Sequence, residues 1–375
     1  MSRLRLSFIA LIVLALVVTA CGDTPPTDDT ASEEPAASLD LDPTESAEPG
    51  ESEAPAPEQP SEGRLALVQE RGELICGVNG SLPGFSFLDQ ASGEMSGFDA
   101  DFCRALAAAV LADPDAVDFR PTNADARGPA LQTGEVDVLI RNTTWTATRD
   151  TQWGLFAPTT FYDSQGIMVR SADNIGSLED LSGATICVQT GTTTELNLAD
   201  VLGAAGVDYT PQTFGELEQT YSAYDEESCD AVTSDKSQLL SVRTTLTNPD
   251  DHVILPDTLS KEPLGPVAPF GDEEWFNIVK WTVFTIIEAE ELGVTSENVQ
   301  EMVDSDNPAI ARLLGAEESL IPGLDADWVV NVISAVGNYA EIYDRNLGPG
   351  TPTALERGLN ALYTDGGILY AAPYR

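Results

Sequence analysis

Residues 136–149 read VDVLIRNTTWTATR, an apolar run followed at once by a polar loop that carries two arginines. The run at 136–140 is long enough to form a strand in a buried sheet. On both sides of it, the sequence alternates short β-type runs with helical patterns. This alternation is typical of parallel-rich sheets that are flanked by helices, so we predict an α/β fold.

The alternation predicts the main elements of the chain. Strands are expected at 73–78, 117–120, 136–140, 184–189 and 230–233. Helices are expected at 98–111, 129–133, 193–203, 236–243 and 275–289. In the first helix, Phe102, Leu106 and Val110 share one face. The last helix contains Lys280 and is too short to cross a membrane, which favours a core helix.

The charge balance excludes several classes of partner. The 375 residues include 62 acidic and 18 basic side chains, a formal net charge of −44. A nucleic-acid binder needs a basic face, and docking on anionic lipid needs a polybasic surface. The single histidine argues against a histidine-based metal site or catalytic dyad. We therefore expect no nucleic-acid partner, no metal and no cofactor.

The first 21 residues predict a lipoprotein signal peptide. Arg3 and Arg5 precede an apolar run at 6–18, and residues 18–21 read VTAC. The run is too short to span a bilayer comfortably. The cysteine after a small residue resembles the bacterial lipobox, in which Cys21 would become the lipid-modified first residue. An ordinary signal peptide with an incidental cysteine, or a helical anchor, remains the alternative.

Residues 22–63 predict a disordered acidic linker. They contain 13 acidic residues and no Lys, Arg or aromatic residue. Such a segment cannot bury enough apolar surface to fold, and its like charges keep it extended. The protein is therefore expected outside the cytoplasm, tethered to the cell membrane through the lipid at Cys21.

The other cysteines agree with an oxidising compartment. Cys76, Cys103, Cys187 and Cys229 are even in number, and three pairings are possible. We favour the pairs 76–103 and 187–229, because each of them stays local in the sequence. Four buried free thiols are the alternative. No CxxC spacing occurs, so the sequence does not favour a cysteine metal site.

Ligands of open α/β sheets bind beyond the carboxyl ends of strands, so the polar loops that follow strands are candidate sites. The loop at 141–149 contains Arg141, Arg149 and four threonines in a chain with few basic residues. A guanidinium group matches a carboxylate with two parallel hydrogen bonds. The alternative is a polar loop that pairs with surface acids.

Two further loops add complementary chemistry. Residues 188–195 read VQTGTTTE and predict a glycine turn and a helix start, whose free N–H groups suit a carboxylate. A capping box without a ligand is the alternative there. Asp235 follows the strand at 230–233, where it can accept from an ammonium group or cap the next helix. The three loops together match an α-amino acid.

These stretches resemble the family 3 extracytoplasmic solute-binding proteins of polar amino-acid ABC transporters, in particular the general L-amino-acid-binding branch. The resemblance covers most of 73–375. Matching stretches include CGVN at 76–79, GFDADFCRA at 97–105, ALQTGEVDVL at 130–139, CVQTGTTTELN at 187–197 and KEPLGP at 261–266.

The resemblance implies a two-lobe periplasmic-binding-protein clamshell of type II, with mixed sheets flanked by helices. Lobe 1 would comprise 64–166 and 265–375, and lobe 2 would comprise 167–264. Two hinge crossovers would lie near 164–168 and 264–268. The ligand would bind between the lobes.

The resemblance also implies how the ligand carboxylate is held. Arg149 matches the carboxylate-binding arginine of the family, and Thr144 matches the hydroxyl residue that supports it. Asn142 would supply a backbone contact nearby. Thr192 and Thr193 lie at the helix start of lobe 2 that also binds the carboxylate.

The remaining site residues concern the ammonium group and the side chain of the ligand. Asp235 matches the ammonium-binding acid of the family. Leu82 and Phe85 lie in the loop that usually walls the side-chain pocket. Arg127 and Arg141 have no role that the resemblance fixes. They can favour acidic or amide side chains, or pair with surface acids.

The function implied is capture of an L-amino acid and its delivery to an ABC permease by a monomeric protein, without catalysis. A ligand-sensing lobe for a membrane receptor is one alternative. The other is an enzyme on the same fold, such as a dehydratase-like or peptidoglycan-cleaving relative. The sole His252 lies in an acidic stretch away from the predicted cleft.

Overall fold

The computed structural model describes residues 63–315 and 319–375. The predicted signal peptide, Cys21 and, apart from Gly63, the acidic linker lie outside the described residues.

Strands and helices alternate through the middle of the described chain, as the sequence predicts, and a run of helices follows the last strand. The strands are β1 (Leu74–Val78), β2 (Ser81–Leu82), β3 (Ser86–Leu88), β4 (Met95–Ser96), β5 (Val117–Pro121), β6 (Val138–Leu139), β7 (Leu155–Phe156), β8 (Phe161–Arg170), β9 (Thr185–Gln189), β10 (Thr210–Phe214), β11 (Ala231–Asp235), β12 (His252–Ile254), β13 (Lys261–Leu264) and β14 (Val267–Ala268). The helices are α1 (Arg64–Arg71), α2 (Phe98–Leu111), α3 (Arg127–Gln132), α4 (Ala147–Gln152), α5 (Thr193–Ala205), α6 (Leu217–Asp225), α7 (Lys236–Arg243), α8 (Glu273–Glu291), α9 (Val299–Met302), α10 (Pro308–Leu314), α11 (Trp328–Val336) and α12 (Tyr339–Asn346).

Two mixed sheets form the framework. The first has the order β5-β1-β6-β14-β7, in which β1 is parallel to β5 and β6 while β14 is antiparallel to both of its neighbours. The second has the order β10-β9-β11-β8-β12, with β8 antiparallel to β11 and β12. The α/β prediction with mixed sheets is therefore confirmed. We call the part built on the first sheet lobe 1 and the part built on the second sheet lobe 2.

The lobes are joined by a pair of strands. The long strand β8 pairs with β13 through 161–164 and then with β11 through 165–169, inside the second sheet. In the other direction, β13 leads through 265–266 to β14 of the first sheet. The chain thus crosses between the sheets twice along adjacent strands, which is the arrangement of a two-segment hinge.

The helix α2 is the centre of lobe 1 and has the predicted bounds. It packs against α8 and α11, and all of its residues except Arg104 and Leu111 are buried. Its small alanine side chains allow this close packing on several sides. The acidic residues Asp99 and Asp101 lie in its first turn, where they complement the helix dipole.

The strand at 136–140 is shorter than the sequence predicts. Only Val138 and Leu139 pair regularly with β1. The carboxylate of Asp137 accepts a hydrogen bond from the backbone N–H of Ile75 at 2.8 Å, in place of a backbone carbonyl. The same carboxylate forms ion pairs with Arg64 and Arg71 of α1. A buried side chain therefore replaces one rung of the expected ladder.

Both predicted disulfides are confirmed. Cys76 bonds to Cys103 and ties β1 to α2, while Cys187 bonds to Cys229 and ties β9 to the turn before β11. The predicted helix at 275–289 is α8, whose apolar side is buried in the core of lobe 1. Over the described ranges, no helix has the length and apolar character required to cross a membrane.

Candidate ligand-binding site

The polar loops that the sequence singles out meet between the two lobes. They enclose a small cavity of about 20 Å³. The residues that line it are Arg127, Arg141, Asn142 and Thr144 from lobe 1, and Gln189, Thr192, Thr193, Thr194, Ser234, Asp235 and Gln238 from lobe 2. The cavity therefore brings together seven of the ten predicted ligand-binding residues.

Hydrogen bonds from backbone N–H groups to side chains hold the loop at 141–149 in place. Asn142 has a φ of 31° in the left-handed region, and its N–H donates to the Asp99 carboxylate at 2.8 Å. Thr146 caps α4 by accepting from the Arg149 N–H at 3.2 Å. Burial raises the pKa of Asp99 to about 6, opposed by the Asn142 hydrogen bond and by Arg141. No local sequence signal indicated this supporting role of Asp99.

Arg149 lies directly behind the cavity wall. Its Nη1 donates to the Thr144 carbonyl at 3.0 Å, and its guanidinium group is 4.9 Å from the centre of the Trp153 ring. Burial lowers the pKa of Arg149, opposed by Glu262 and Asp235. An arginine remains charged under such conditions, so this group supplies a desolvated cation next to Thr144.

Arg127 shares the same aromatic ring. Its guanidinium group lies 5.6 Å from the Trp153 ring centre, its Nε donates to the Ala124 carbonyl at 3.1 Å, and Nη1 donates to the Thr143 hydroxyl at 3.4 Å. Burial lowers the pKa of Arg127, and the charge of Arg149 lowers it further. Trp153 therefore supports two buried cations, which no sequence signal indicated.

Arg141 lies where the small cavity meets a larger groove of about 350 Å³. Its side chain is only 3% exposed, and its Nε donates to the Thr122 carbonyl at 2.8 Å. Across the described residues, Nη1 and Nη2 donate to no protein acceptor. Burial lowers the pKa of Arg141 to about 10, opposed chiefly by Asp99, so the group is charged at neutral pH.

The start of α5 forms the opposing wall. Thr192 is the N-cap, and its hydroxyl accepts from the Glu195 N–H at 3.1 Å and donates to the Gln189 carbonyl at 2.7 Å. The Glu195 carboxylate accepts from the Gly191 N–H at 3.0 Å. The capping interaction that the sequence offered as an alternative is thus present, and Thr192 also lines the cavity.

Thr193 connects both lobes with the hinge. Its hydroxyl donates to Oε2 of Glu262 at 2.9 Å and lies 3.3 Å from the Thr144 hydroxyl of lobe 1. Glu262, on β13, is buried and also accepts from Asn197 at 2.9 Å. It stands opposite Asp163 of β8 in the strand pair. The hinge therefore contains two carboxylates on adjacent strands, the buried Glu262 and the half-buried Asp163, which no local sequence signal indicated.

Asp235 ends β11, but its side chain does not cap α7. The residue is 5% exposed and lines the cavity, and its carboxylate forms no hydrogen bond with the described residues. Burial raises the pKa of Asp235 well above its usual range, and the charges of Asp163 and Glu262 raise it further. A cation in the cavity would offset both effects.

Amide side chains bridge the lobes beside the cavity. Asn142 accepts from Asn79 at 3.2 Å and donates to Gln238 of lobe 2 at 3.1 Å. Gln238 in turn donates to the Tyr221 hydroxyl at 3.2 Å. Gln238 and Tyr221 were not predicted, since α7 and α6 contain no local motif around them.

Three predicted or considered residues lie elsewhere. Leu82 and Phe85 are fully buried in the core and line neither the cavity nor the groove. The ring of Phe85 packs against the ring of Phe161, with 5.3 Å between the ring centres. In the same hairpin, Ser81 faces the groove instead. His252 lies in lobe 2 outside both spaces, and its Nδ1 is 2.9 Å from the Tyr224 hydroxyl.

Comparison with known proteins finds long matches. The chain is 53% identical over 316 residues to the general L-amino acid-binding periplasmic protein AapJ of Rhizobium johnstonii, covering 83% of this chain and 92% of that protein. It is 47% identical over 319 residues to the glutamate/glutamine/aspartate/asparagine-binding protein BztA of Rhodobacter capsulatus, covering 84% and 94%.

A solved structure agrees with these matches. An ABC transporter/periplasmic binding protein from Brucella ovis with glutathione bound has a TM-score of 0.81 and 51% identity, covering 84% of this chain and 100% of that one. The family model of the bacterial extracellular solute-binding proteins, family 3, matches residues 74–349. This chain is therefore a member of the bacterial extracellular solute-binding proteins of family 3.

Proposed function

We propose that this protein captures L-amino acids between its two lobes and delivers them to an ABC permease. The observation that carries the proposal is the pairing of charges around one cavity. Asp235 offers an unpaired buried carboxylate, and three buried arginines lie on or behind the opposite wall. A zwitterion supplies a partner for each sign without adding net charge to the site.

The carboxylate of the ligand would bind between the loop at 141–149 and the start of α5. Arg149 supplies the cation, and Thr144 and Thr193 supply hydroxyl groups that lie 3.3 Å apart across the cleft. Asn142 and Thr192 complete this end with polar groups that line the cavity. Donors aimed at a carboxylate in a water-poor site form strong, charge-assisted hydrogen bonds.

The ammonium group of the ligand would bind Asp235. This side chain neither caps α7 nor accepts from another described residue, so its oxygen atoms are free for a ligand. An ammonium group beside this carboxylate would favour its charged form and would therefore oppose the burial effect that raises the pKa of Asp235.

Binding would be linked to closure of the lobes, with 64–166 and 265–375 as lobe 1 and 167–264 as lobe 2. The cavity of about 20 Å³ holds little more than water, so entry of an amino acid requires the lobes to separate. A ligand that contacts both walls favours the closed form by its differential affinity. The strand pair β8–β13 is the structural basis for such a hinge motion.

The names of two relatives support the ligand class. AapJ is named as a general L-amino acid-binding protein, and BztA as a binder of acidic and amide amino acids. We infer that this chain works as a monomer, without catalysis, on the outer side of the membrane that it reaches through a lipid on Cys21. Arg127 and Arg141 would favour acidic and amide side chains.

A panel of thermal shifts against the twenty L-amino acids, followed by calorimetry on the ligands found, tests the proposal. Bound ligand stabilises the native state by mass action, so several amino acids should raise the Tm. The D-enantiomers serve as matched controls, because a D-amino acid that keeps both α-groups in place directs its side chain away from the pocket that the L-form uses. Absence of any shift, or turnover of a ligand detected by mass spectrometry, would contradict the proposal.

The anchor needs a separate test on the full chain. Expression of the wild type should leave the protein in the membrane fraction, and Cys21→Ser should release it or leave it unprocessed. Equal membrane association of both forms would contradict lipid attachment at Cys21.

A peptide ligand with a free α-amino-acid end is a second candidate. The Brucella ovis protein was solved with glutathione bound, and the groove of about 350 Å³ here borders the cavity at Arg141 and Gln189. Glutathione carries the α-carboxylate and α-ammonium of its γ-linked glutamate, so it would use the same two binding groups. Competition between glutathione and glutamate in calorimetry would show whether they share one site.

A further inference from the structure

We propose that Trp153 is a positioning residue for ligand binding, which takes the place of an acidic partner for two buried arginines of lobe 1. Its ring would hold the guanidinium groups of Arg127 and Arg149 in place without neutralising either of them. Their positive charge would therefore remain available to an anionic group of the ligand. This inference rests on the proposed function and extends it to the residue that prepares the carboxylate end of the site.

Two helices place the ring beside both arginines. Trp153 ends α4, where its backbone N–H donates to the Arg149 carbonyl at 2.8 Å. Residues four apart lie on one face of a helix, so the ring stands next to the Arg149 side chain, with 4.9 Å between the guanidinium carbon and the ring centre. Arg127 comes from the start of α3 and lies 5.6 Å from the same ring centre. Both distances are those of cation–π contacts.

The ring also lies against the backbone of α3 at Gly128. A Cβ atom added to Gly128 would come within 2.7 Å of Cε2 and 2.8 Å of Cδ2 of Trp153. Gly128 is part of a helix, a conformation that any residue can adopt, so glycine is needed here for space alone. The residue that follows Arg127 is therefore small enough to admit the ring.

Neither arginine has an acidic partner. No ion pair among the described residues includes Arg127 or Arg149. Their hydrogen bonds go to neutral acceptors, which are the Ala124 carbonyl, the Thr143 hydroxyl and the Thr144 carbonyl. Two buried cations that lie close together repel each other, and the charge of Arg149 lowers the pKa of Arg127. A group other than a carboxylate must therefore stabilise the pair.

An aromatic face suits this task better than an acid would. The negative face of an indole attracts cations, and the attraction is stronger where water is excluded. A carboxylate would attract the guanidinium groups more strongly, but it would occupy their N–H donors and compete with an anionic group of the ligand. Trp153 does not line the cavity, so it acts on the ligand only through Arg127 and Arg149.

A double-mutant cycle measured by calorimetry tests this role. In Trp153→Leu the arginines lose the ring and can turn away from the cavity, so the affinity for the best amino-acid ligand should fall about 10-fold. Trp153→Phe keeps an aromatic face, so its affinity should fall only about 3-fold. In the Arg149→Ala background, Trp153→Leu should change the affinity only about 2-fold, because one of the two cations is absent. Thermal shifts at millimolar ligand extend the measurement to the variants that bind weakly.

Gly128→Ala tests the same role with the ring intact. The added methyl group would displace the ring from its place, so the affinity should fall about 5-fold. This variant also covers the case in which Trp153→Leu does not fold, which circular dichroism melting detects. Unchanged affinity in a folded Gly128→Ala protein would contradict the proposal.

Trp281→Leu is the matched control. Trp281 is also a half-buried tryptophan of lobe 1, but it packs against Phe284 and Tyr374 and lines neither the cavity nor the groove. Its replacement should lower the Tm and leave the affinity unchanged. If Trp153→Leu behaves in the same way, or if Trp153→Leu and Arg149→Ala reduce the affinity additively, the positioning role is wrong and amino-acid capture stands. If no amino acid binds to the wild type, the proposed function itself is wrong.

Discussion

The two walls of the cleft carry opposite charges. Lobe 1 holds the guanidinium groups of Arg127 and Arg141 on the cavity wall and that of Arg149 behind it. These three arginines lie within 23 residues of a chain whose net charge is −44. The lobe 2 wall holds the carboxylates of Asp235 and Glu216. The two walls of the site therefore differ in the sign of their charge, and neither lobe alone can neutralise both charges of a zwitterion.

The walls also differ in how their charges are held. The guanidinium group of Arg149 is fixed by the Thr144 carbonyl and by the Trp153 ring. The carboxylate of Asp235 has no hydrogen bond with any described residue, although its backbone pairs with β8. Lobe 1 thus offers a preorganised cation, whereas lobe 2 offers a carboxylate that lacks a partner. This difference predicts that the two sides respond differently to mutation.

The largest effect is expected for Arg149→Ala. Removing the guanidinium group leaves a desolvated ligand carboxylate without its cation, so the affinity should fall about 100-fold or more, or about 3 kcal/mol. Calorimetry against the best ligand measures this loss. Arg149→Lys is the control: it keeps the charge but loses the planar fork, and should give an intermediate affinity. Unchanged affinity in Arg149→Ala would refute this placement of the carboxylate.

Asp235→Asn should weaken ligand binding about 10-fold to 30-fold, because an amide cannot pair with an ammonium group as a carboxylate does. The same change removes a buried carboxylate without hydrogen bonds, so the Tm of the protein without ligand should stay equal or rise. A loss of ligand affinity together with an equal or higher Tm is expected only if the Asp235 carboxylate serves to bind the ligand. A fall in the ligand-free Tm would show that Asp235 has a structural role instead.

Gly191→Ala should impair closure of the two walls. Gly191 has a φ of 73°, and a Cβ atom there would lie 1.8 Å from Oδ1 of Asp125 in lobe 1. The left-handed backbone costs a non-glycine residue about 1–2 kcal/mol in the open and the closed form alike, so this cost lowers stability and not affinity. The overlap with Asp125 arises only where the lobes meet, and overpacking of this kind costs about 1–3 kcal/mol, so the affinity should fall about 10-fold. Gly203→Ala in α5 is the control, because its Cβ would meet no atom within 4 Å. Equal affinities of both variants would contradict the close approach at Gly191.

The smallest effect concerns the hinge carboxylate Asp163. Burial raises its pKa to about 6, opposed by hydrogen bonds from Ser237 and Ser164. A raised pKa means that its stabilising contribution is complete below about 3.8, the unfolded value, and is lost as the pH rises through about 6. Asp163→Asn should therefore reduce the loss of Tm between pH 5 and 7. Exposed Asp208→Asn is the control, and an identical pH profile in Asp163→Asn would refute the assignment.

Local sequence signals sufficed for much of the fold. The helix at 98–111 has its predicted bounds because its apolar spacing is regular over fourteen residues. The start of α5 was predicted because the glycine turn and the Thr192 cap are adjacent in sequence. The strand at 136–140 was predicted too long, since its early pairing depends on Asp137 and on two arginines far away in the sequence.

The same contrast holds for the site. Seven of the ten predicted ligand-binding residues line the cavity, since they follow strands whose carboxyl ends meet between the lobes. Leu82 and Phe85 are in the core and not in the cavity, because their apolar side chains are buried away from solvent. Phe85 packs against Phe161, a residue from another segment. Glu262, Gln238 and Trp153 were missed, because each acts on a residue from another segment.

By itself, the sequence determined which chemical groups are available to bind a ligand. These are two arginines in one polar loop of a chain with few basic residues, a helix start rich in hydroxyl groups, and an acid at the end of a strand. These are local properties, set by neighbouring residues. Only the tertiary structure decided that the cations and the acids lie on opposite walls, and that Arg141 joins the cavity to the groove. Such positions depend on contacts between distant segments, and burial then sets the charge state of each group through desolvation.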